Sequence, residues 1–177
     1  MAFAYTIKDQ GAIYFVTFTV HQWVDVFTRP IYRNILLESI RYCQVNKGLK
    51  IYAWVIMSNH IHLIVGSQNE NLSDIIRDFK KYTSKKIVNA ISANLHESRR
   101  EWLLLTLKIG DNIWFWEEGY HGVEISSMDI FESKVNYIHQ NPARNGLVKN
   151  AEDYLLSSAN DFLNGGTGTL NLSFING

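Results

Sequence analysis

His60 and His62 stand two residues apart in the run Val55-Ile56-Met57-Ser58-Asn59-His60-Ile61-His62-Leu63-Ile64-Val65. Side chains alternate along a strand, so these two imidazoles project from one side while Ile61 and Leu63 project from the other. Neutral imidazole is a common metal ligand, and a rigid strand would hold two of them at fixed separation. That is the skeleton of a metal site. Cys43 is the only cysteine. Neither an intrachain disulfide nor a thiolate cluster can form, so a metal here has to be held by nitrogen and oxygen. Either histidine alone also fits a plainer description, a satisfied interior side chain.

The second stretch with chemical potential is Tyr137-Ile138-His139-Gln140-Asn141-Pro142. Wound as a helix, Phe131, Val135 and Ile138 cluster on one side, while Tyr137 and Asn141 stack on another about 100° away. A core tyrosine should share the apolar stripe, and this one does not. Taken singly, Tyr137 also reads as a core-edge tyrosine bonded through its hydroxyl, and Asn141 as a helix C-terminal residue.

The elements that must position these residues follow from local pattern. Ala12 to Val20 is rich in β-branched and aromatic residues and predicts a strand. Pro30 opens a helix with Ile31, Ile35, Leu36 and Ile40 at helical spacing and Gly48 as its stop. A strand from Lys50 to Met57 turns at Ser58-Asn59 into the histidine strand, an antiparallel hairpin. Asn71 to about Asn94 predicts the longest helix, its apolar stripe formed by Leu72, Ile76, Phe79, Thr83, Ile87 and Ala90. Arg77, Lys81 and Lys85 fall opposite, with Lys80 and Lys86 at the borders. This basic front fits either a solvated face or a nucleic-acid contact. Glu101 to Trp116 reads as a connecting or weak β region around the turn Gly110-Asp111-Asn112. A last helix should start at Ser126-Ser127 and end at Asn141-Pro142. The Gly/Thr/Asn-rich tail reads as loop and a short terminal strand.

At 177 residues the chain is expected to form one domain, with a core over about 10–160 and a tail over 161–177. No run is long and apolar enough to span a bilayer, and the first residues lack a charged start and apolar core, so the cytoplasm is expected and no membrane partner. Seventeen basic residues balance seventeen acidic ones, which argues against a purely electrostatic grip on nucleic acid and leaves only local contacts.

Together, Asn59-His60-Ile61-His62-Leu63-Ile64-Val65 and Tyr137-Ile138-His139-Gln140-Asn141-Pro142-Ala143-Arg144-Asn145-Gly146-Leu147-Val148 resemble the HUH single-tyrosine transposases, above all the branch of REP-associated tyrosine transposases. Asp78-Phe79-Lys80-Lys81-Tyr82-Thr83-Ser84-Lys85, Trp116-Glu117-Glu118-Gly119-Tyr120-His121 and Ser157-Ser158-Ala159 match in the family's order. The resemblance implies an α+β fold, a ferredoxin-like antiparallel sheet of four or five strands with helices mainly on one face. It implies an enzyme that cleaves and rejoins single-stranded DNA near hairpins through a 5′-phosphotyrosine. Tyr137 maps to the nucleophile, and His60, His62 and Asn141 to the metal ligands. The amide oxygen of Asn141 suits Mg²⁺ or Mn²⁺. DNA contacts are expected from Arg77, Lys80, Lys81, Lys85 and Lys86, and action at the nucleoid. His121 is a candidate to touch a metal-bound side chain or the DNA, although many relatives follow it with an acidic residue and a histidine where this chain has Gly122-Val123. Some relatives are homodimers that share the tyrosine helix; this branch is expected to act as a monomer. Two rivals remain: an inactive hairpin-binding module of the same fold, and a metal-dependent hydrolase using water.

Overall fold

The computed structural model describes residues 7–163, 165 and 168–175. Strand β1 (Tyr14–Thr19) leads through a 3-10 turn (His21–Trp23) into helix α1 (Pro30–Lys47), then β2 (Leu49–Ile56) and β3 (His60–Ser67). Helix α2 (Leu72–Ala93) and α3 (Arg100–Leu107) follow. A small ribbon of β4 (Lys108–Ile109) and β5 (Asn112–Ile113), the short β6 (Val123–Glu124), helix α4 (Met128–Arg144) and α5 (Ala159–Leu163) complete the order.

The main sheet runs β2-β3-β1-β6, every neighbour antiparallel. This is the ferredoxin-like α+β arrangement expected from the sequence, with its fourth strand cut to a stub. Proline at the start and Gly48, left-handed at φ 71°, at the end bound α1 as anticipated.

Strand alternation divides the side chains between two cores. Val16, Phe18, Ile51, Trp54, Ile61, Leu63 and Val65 pack against α1 and α2. Phe15, Tyr52, Ala53, Val55 and Ile64 face the other way, against Phe131 and Ile138 of α4. Tyr52 and Ala53 are sequence neighbours yet share a face, because the β2–β3 register shifts between Ile51 and Ala53. Helices α1, α2 and α3 thus share one core, while α4 lies across the opposite face with His60 and His62.

Three expectations are corrected. Glu101 to Trp116 is not mainly a weak β region: its first half is α3, in which Leu103 and Leu107, one turn apart, are fully buried. Only the ribbon around Gly110-Asp111 matches the β reading. The tyrosine helix does not stop at Asn141-Pro142 but carries proline inside its final turn and runs to Arg144. Proline forfeits only its own N–H, and the new end is well closed. Gly146 is left-handed at φ 72°, Leu147 N–H donates to the Pro142 carbonyl (2.9 Å) and Asn145 Nδ2 donates to the Asn141 carbonyl (2.8 Å). Finally, the described part of the tail is docked, and no terminal strand occurs among its described residues. Leu170 is buried and Ser173 N–H donates to the Ile51 carbonyl (2.7 Å); positions 166, 167, 176 and 177 of that expectation lie outside the described residues.

Candidate functional site

The histidines sit where the β2–β3 hairpin meets the turn after β1. Val20 N–H donates to the Asn59 carbonyl and Phe27 N–H to the Ser58 carbonyl, both at 2.8 Å. Gln22 and Trp23 both adopt positive φ (53° and 56°), a conformation that costs non-glycine residues roughly 1–3 kcal/mol each. Glu117 Oε1 accepts from Gln22 N–H (2.8 Å), and the Trp23 carbonyl accepts from Asn59 Nδ2 (3.1 Å), so the strained turn is tied on both sides. Trp23, largely exposed, sets its ring edge-on to His60 at 5.8 Å.

That Asn59 contact also fixes a tautomer. A carbonyl can only accept, so the amide nitrogen must face Trp23 and Oδ1 must face His60 Nδ1, 2.7 Å away. His60 Nδ1 therefore carries the proton, and Nε2 carries the lone pair. His62 Nδ1 is 2.7 Å from Thr17 Oγ1, its cross-strand partner, which occupies the same nitrogen on the second ring. Such outer partners orient imidazoles for metal binding through Nε2. The two ring centroids are 4.7 Å apart.

Both rings are kept neutral. Burial lowers the pKa of His60, and burial first, then His60, Arg144 and Lys134, pushes His62 down to about 3. Neutral imidazole is the form that ligates.

Helix α4 brings its tyrosine to the same place. Ser127 caps it by accepting from Ile130 N–H (3.3 Å), and Phe131 and Ile138 bury its apolar side. Tyr137 is 39% exposed, and its ring lies 5.3 Å from His62 and 5.7 Å from Phe15, edge-on to both. All three groups belong to one chain. Asn141, one turn on, is buried, and its Oδ1 accepts one bond from Asn145 Nδ2 (3.0 Å). Two histidines and an amide oxygen can hold a hard or borderline divalent cation with most of its shell open. Among the described residues there is no cluster of three His, Cys, Asp or Glu side chains that could do so instead.

Comparison with known proteins places the chain. Residues 10–141 match the family of IS200-like transposases. The chain belongs to that family. No curated protein sequence matches it. Among solved structures, a REP-associated tyrosine transposase bound to a REP hairpin superposes with a TM-score of 0.68 at 18% identity, covering 99% of this chain and 93% of that one. It shares the fold. A Deinococcus radiodurans R1 protein, named as a candidate transposase, is 16% identical over 76% of this chain and 92% of its own, with a TM-score of 0.47 too low to argue from.

The structure of this IS200-like transposase gathers His60, His62 and Tyr137, but it does not bring the basic helix to them. Helix α2 packs on the other face of the sheet. Arg77 is paired with Asp74 and Asp78, and Lys80 donates to the carbonyls of Glu117 (3.0 Å) and Gly119 (2.7 Å) beneath Phe18. Burial pushes the Lys80 amine down to about 8. Lys80 is thus held by those two carbonyls, while Lys81 and Lys85 remain exposed. His121 is exposed on the segment before β6, which pairs with β1 at Tyr14 and Phe15 rather than at its histidine end.

Sequence reasoning passed over four residues. Lys134 and Arg144 stand at i−3 and i+7 from Tyr137, on its own helix face; that spacing is the signal that could have found them. His139 and Ser158 form the other pair. His139 Nε2 lies 2.8 Å from Ser158 Oγ, which accepts from Trp54 N–H (2.9 Å), so α4 is riveted to β2 two residues beyond the tyrosine. No helix among the described residues is long and apolar enough to cross a membrane.

Proposed function

We propose that this transposase cuts and rejoins single-stranded DNA beside a hairpin, with Tyr137 as nucleophile and a divalent cation, Mg²⁺ or Mn²⁺, held by His60, His62 and Asn141. The observation that carries the reading is the convergence of two neutral, Nδ1-anchored histidines on a half-exposed tyrosine of the same chain. The donor set fits the ion: the Nε2 atoms of two neutral imidazoles and one amide oxygen would supply few protein ligands and leave room for phosphate oxygen and water. When bound, the cation would neutralise charge on the phosphate and help fix its orientation.

Tyr137 does the covalent work. Its Oη attacks phosphorus, an Oη–P bond forms, the P–O3′ bond breaks, the phenolic proton leaves to water and the 3′-oxygen gains one. A phosphodiester is exchanged for a phosphodiester. Another 3′-hydroxyl can therefore reverse the step without ATP, which is strand transfer. The structurally similar REP-associated transposase is described with a REP hairpin, and this supports a hairpin-bearing strand as the DNA partner. A site complete within one chain supports action as a monomer.

The test uses a labelled pool of single strands, each with one hairpin flanked by randomised bases, and Mn²⁺. A band that survives boiling in detergent, yields to protease, and is absent with EDTA or with Tyr137→Phe is expected. Cutting that persists in Tyr137→Phe would assign the reaction to water. Hairpin binding without any cutting by the wild type would make the chain a binding module.

A further inference from the structure

We propose that Lys134 and Arg144 form a phosphate clamp around Tyr137, one that grips the phosphodiester under attack and then the phosphate carried on the tyrosine. This rests on the reading of Tyr137 as nucleophile and adds a binding site to it. The guanidinium carbon of Arg144 lies 4.5 Å from the Tyr137 ring centroid. Lys134 Nζ lies 5.8 Å from that ring and 4.8 Å from the ring of Phe15. Two cations therefore converge on one half-exposed tyrosine, from helix positions before and after it. Ion pairs among the described residues engage Arg29, Lys47, Arg77 and Arg99, but neither Lys134 nor Arg144. In a chain with equal numbers of acidic and basic residues, two unneutralised cations at one tyrosine suit an anion that arrives from outside.

The geometry of each cation suits a different part of the task. Arg144 donates one N–H to the Tyr137 carbonyl (2.9 Å), which sets the plane of its guanidinium and leaves its other donors for the fork that matches two phosphate oxygens. The ammonium of Lys134 is a compact charge that needs no fixed orientation. As Oη bonds to phosphorus and the P–O3′ bond breaks, extra negative charge builds on the non-bridging oxygens, where fixed cations stabilise it most. The product keeps a diester at the same place, so the same pair holds it for the return step. This arrangement depends on α4 running through Pro142 to Arg144: a helix ending at Asn141 would not return the guanidinium to the tyrosine's face.

The experiment compares two probes by fluorescence anisotropy in EDTA at low salt: a short oligothymidylate with a 5′-phosphate, and the same strand with a 5′-hydroxyl. Wild-type protein and Tyr137→Phe should both prefer the phosphorylated strand by about fivefold or more, as expected for charge-assisted bonds to one exposed phosphate. Lys134→Gln with Arg144→Gln should erase the preference while the amide NMR spectrum stays that of a folded chain. Lys134→Arg with Arg144→Lys should restore part of it. No preference in the wild type, or one that survives in the double glutamine variant, would overturn the clamp. Neither probe is cleaved and no metal is present, so failure here leaves the covalent-adduct result standing. A phosphate preference without an adduct would keep the clamp and remove only the nucleophile.

Discussion

Ser158→Ala tests how firmly the tyrosine helix is held. Ser158 is fully buried, as is Trp54, and the serine hydroxyl serves both the Trp54 N–H (2.9 Å) and His139 Nε2 (2.8 Å). Alanine removes only that oxygen and leaves the backbone bond from Ser158 N–H to the Trp54 carbonyl (2.9 Å) in place. The Trp54 amide then has no acceptor inside the sheet, at about 1–3 kcal/mol for a buried unpaired group. His139 adds less, because it is only partly buried and can recruit water, giving roughly 2–4 kcal/mol in all. For a domain of this size each kcal/mol moves Tm by about 2–4 °C, so a fall of roughly 4–16 °C is expected by calorimetry. Below the transition the variant should still fold, yet form the Tyr137 adduct more slowly by about tenfold, since sub-ångström placement of a nucleophile carries large rate factors. A Tm within about 2 °C of wild type would refute the claim that this rivet holds α4 to β2.

Other consequences can be measured separately. His62→Ala should abolish Mn²⁺ binding followed by electron paramagnetic resonance and leave the fold intact; retained binding would remove His62 from the ligand set. Gly146→Val should cost about 1–2 kcal/mol from its left-handed φ of 72° alone, because no atom lies within 4 Å of an added Cβ, and an unchanged Tm would contradict that account of the helix end. Burial holds His139 down to about 4 and His62 to about 3, so below about pH 6.5 the unfolded chain takes up protons that the folded one refuses. Stability should thus be full above that pH and fall as pH drops towards about 4, and His139→Gln should flatten the decline; an equal slope in both proteins would be inconsistent with a neutral buried His139. Lys81→Ala with Lys85→Ala should reduce the salt dependence of DNA binding by about one unit of slope for each phosphate no longer neutralised, but leave the single-turnover adduct rate alone, because α2 lies across the sheet from Tyr137.

The histidine hairpin could be read because its signals are local: alternation along β3 and a polar turn at Ser58-Asn59. Three other features depend on facts that no short window contains. Leu103-Leu104-Leu105 hides its helical period because Leu105 is 79% exposed, so an unbroken apolar run gives no stripe to follow. Pro142 reads as a stop, and only the closure by Asn145, Gly146 and Leu147 shows that the backbone tolerates it within the last turn. Periodicity told which side of α2 is basic, but not which face of the sheet the helix would cover. That last fact separates Lys81 and Lys85 from the histidines, and it is set by the crossover connections rather than by the helix itself.

The same two-sided sheet accounts for how a chain of zero net charge can belong to a transposase family. Of the ion pairs, those of Arg29, Lys47, Arg77 and Arg99 tie up charge on the α1–α2 side, where it contributes little to a distant field. On the α4 face, Lys134 and Arg144 stand by Tyr137 with no carboxylate paired to them among the described residues. Screening in physiological salt limits their reach to about 8 Å. Such a field cannot gather DNA from afar, but it acts fully on a phosphate that shape has already delivered to the tyrosine. A strongly basic surface would hold any strand by counterion release, whatever its sequence. On the proposed reading, local charge on a neutral protein would leave discrimination to the contacts that recognise the fold of the DNA, and would keep Tyr137 idle on strands that lack it.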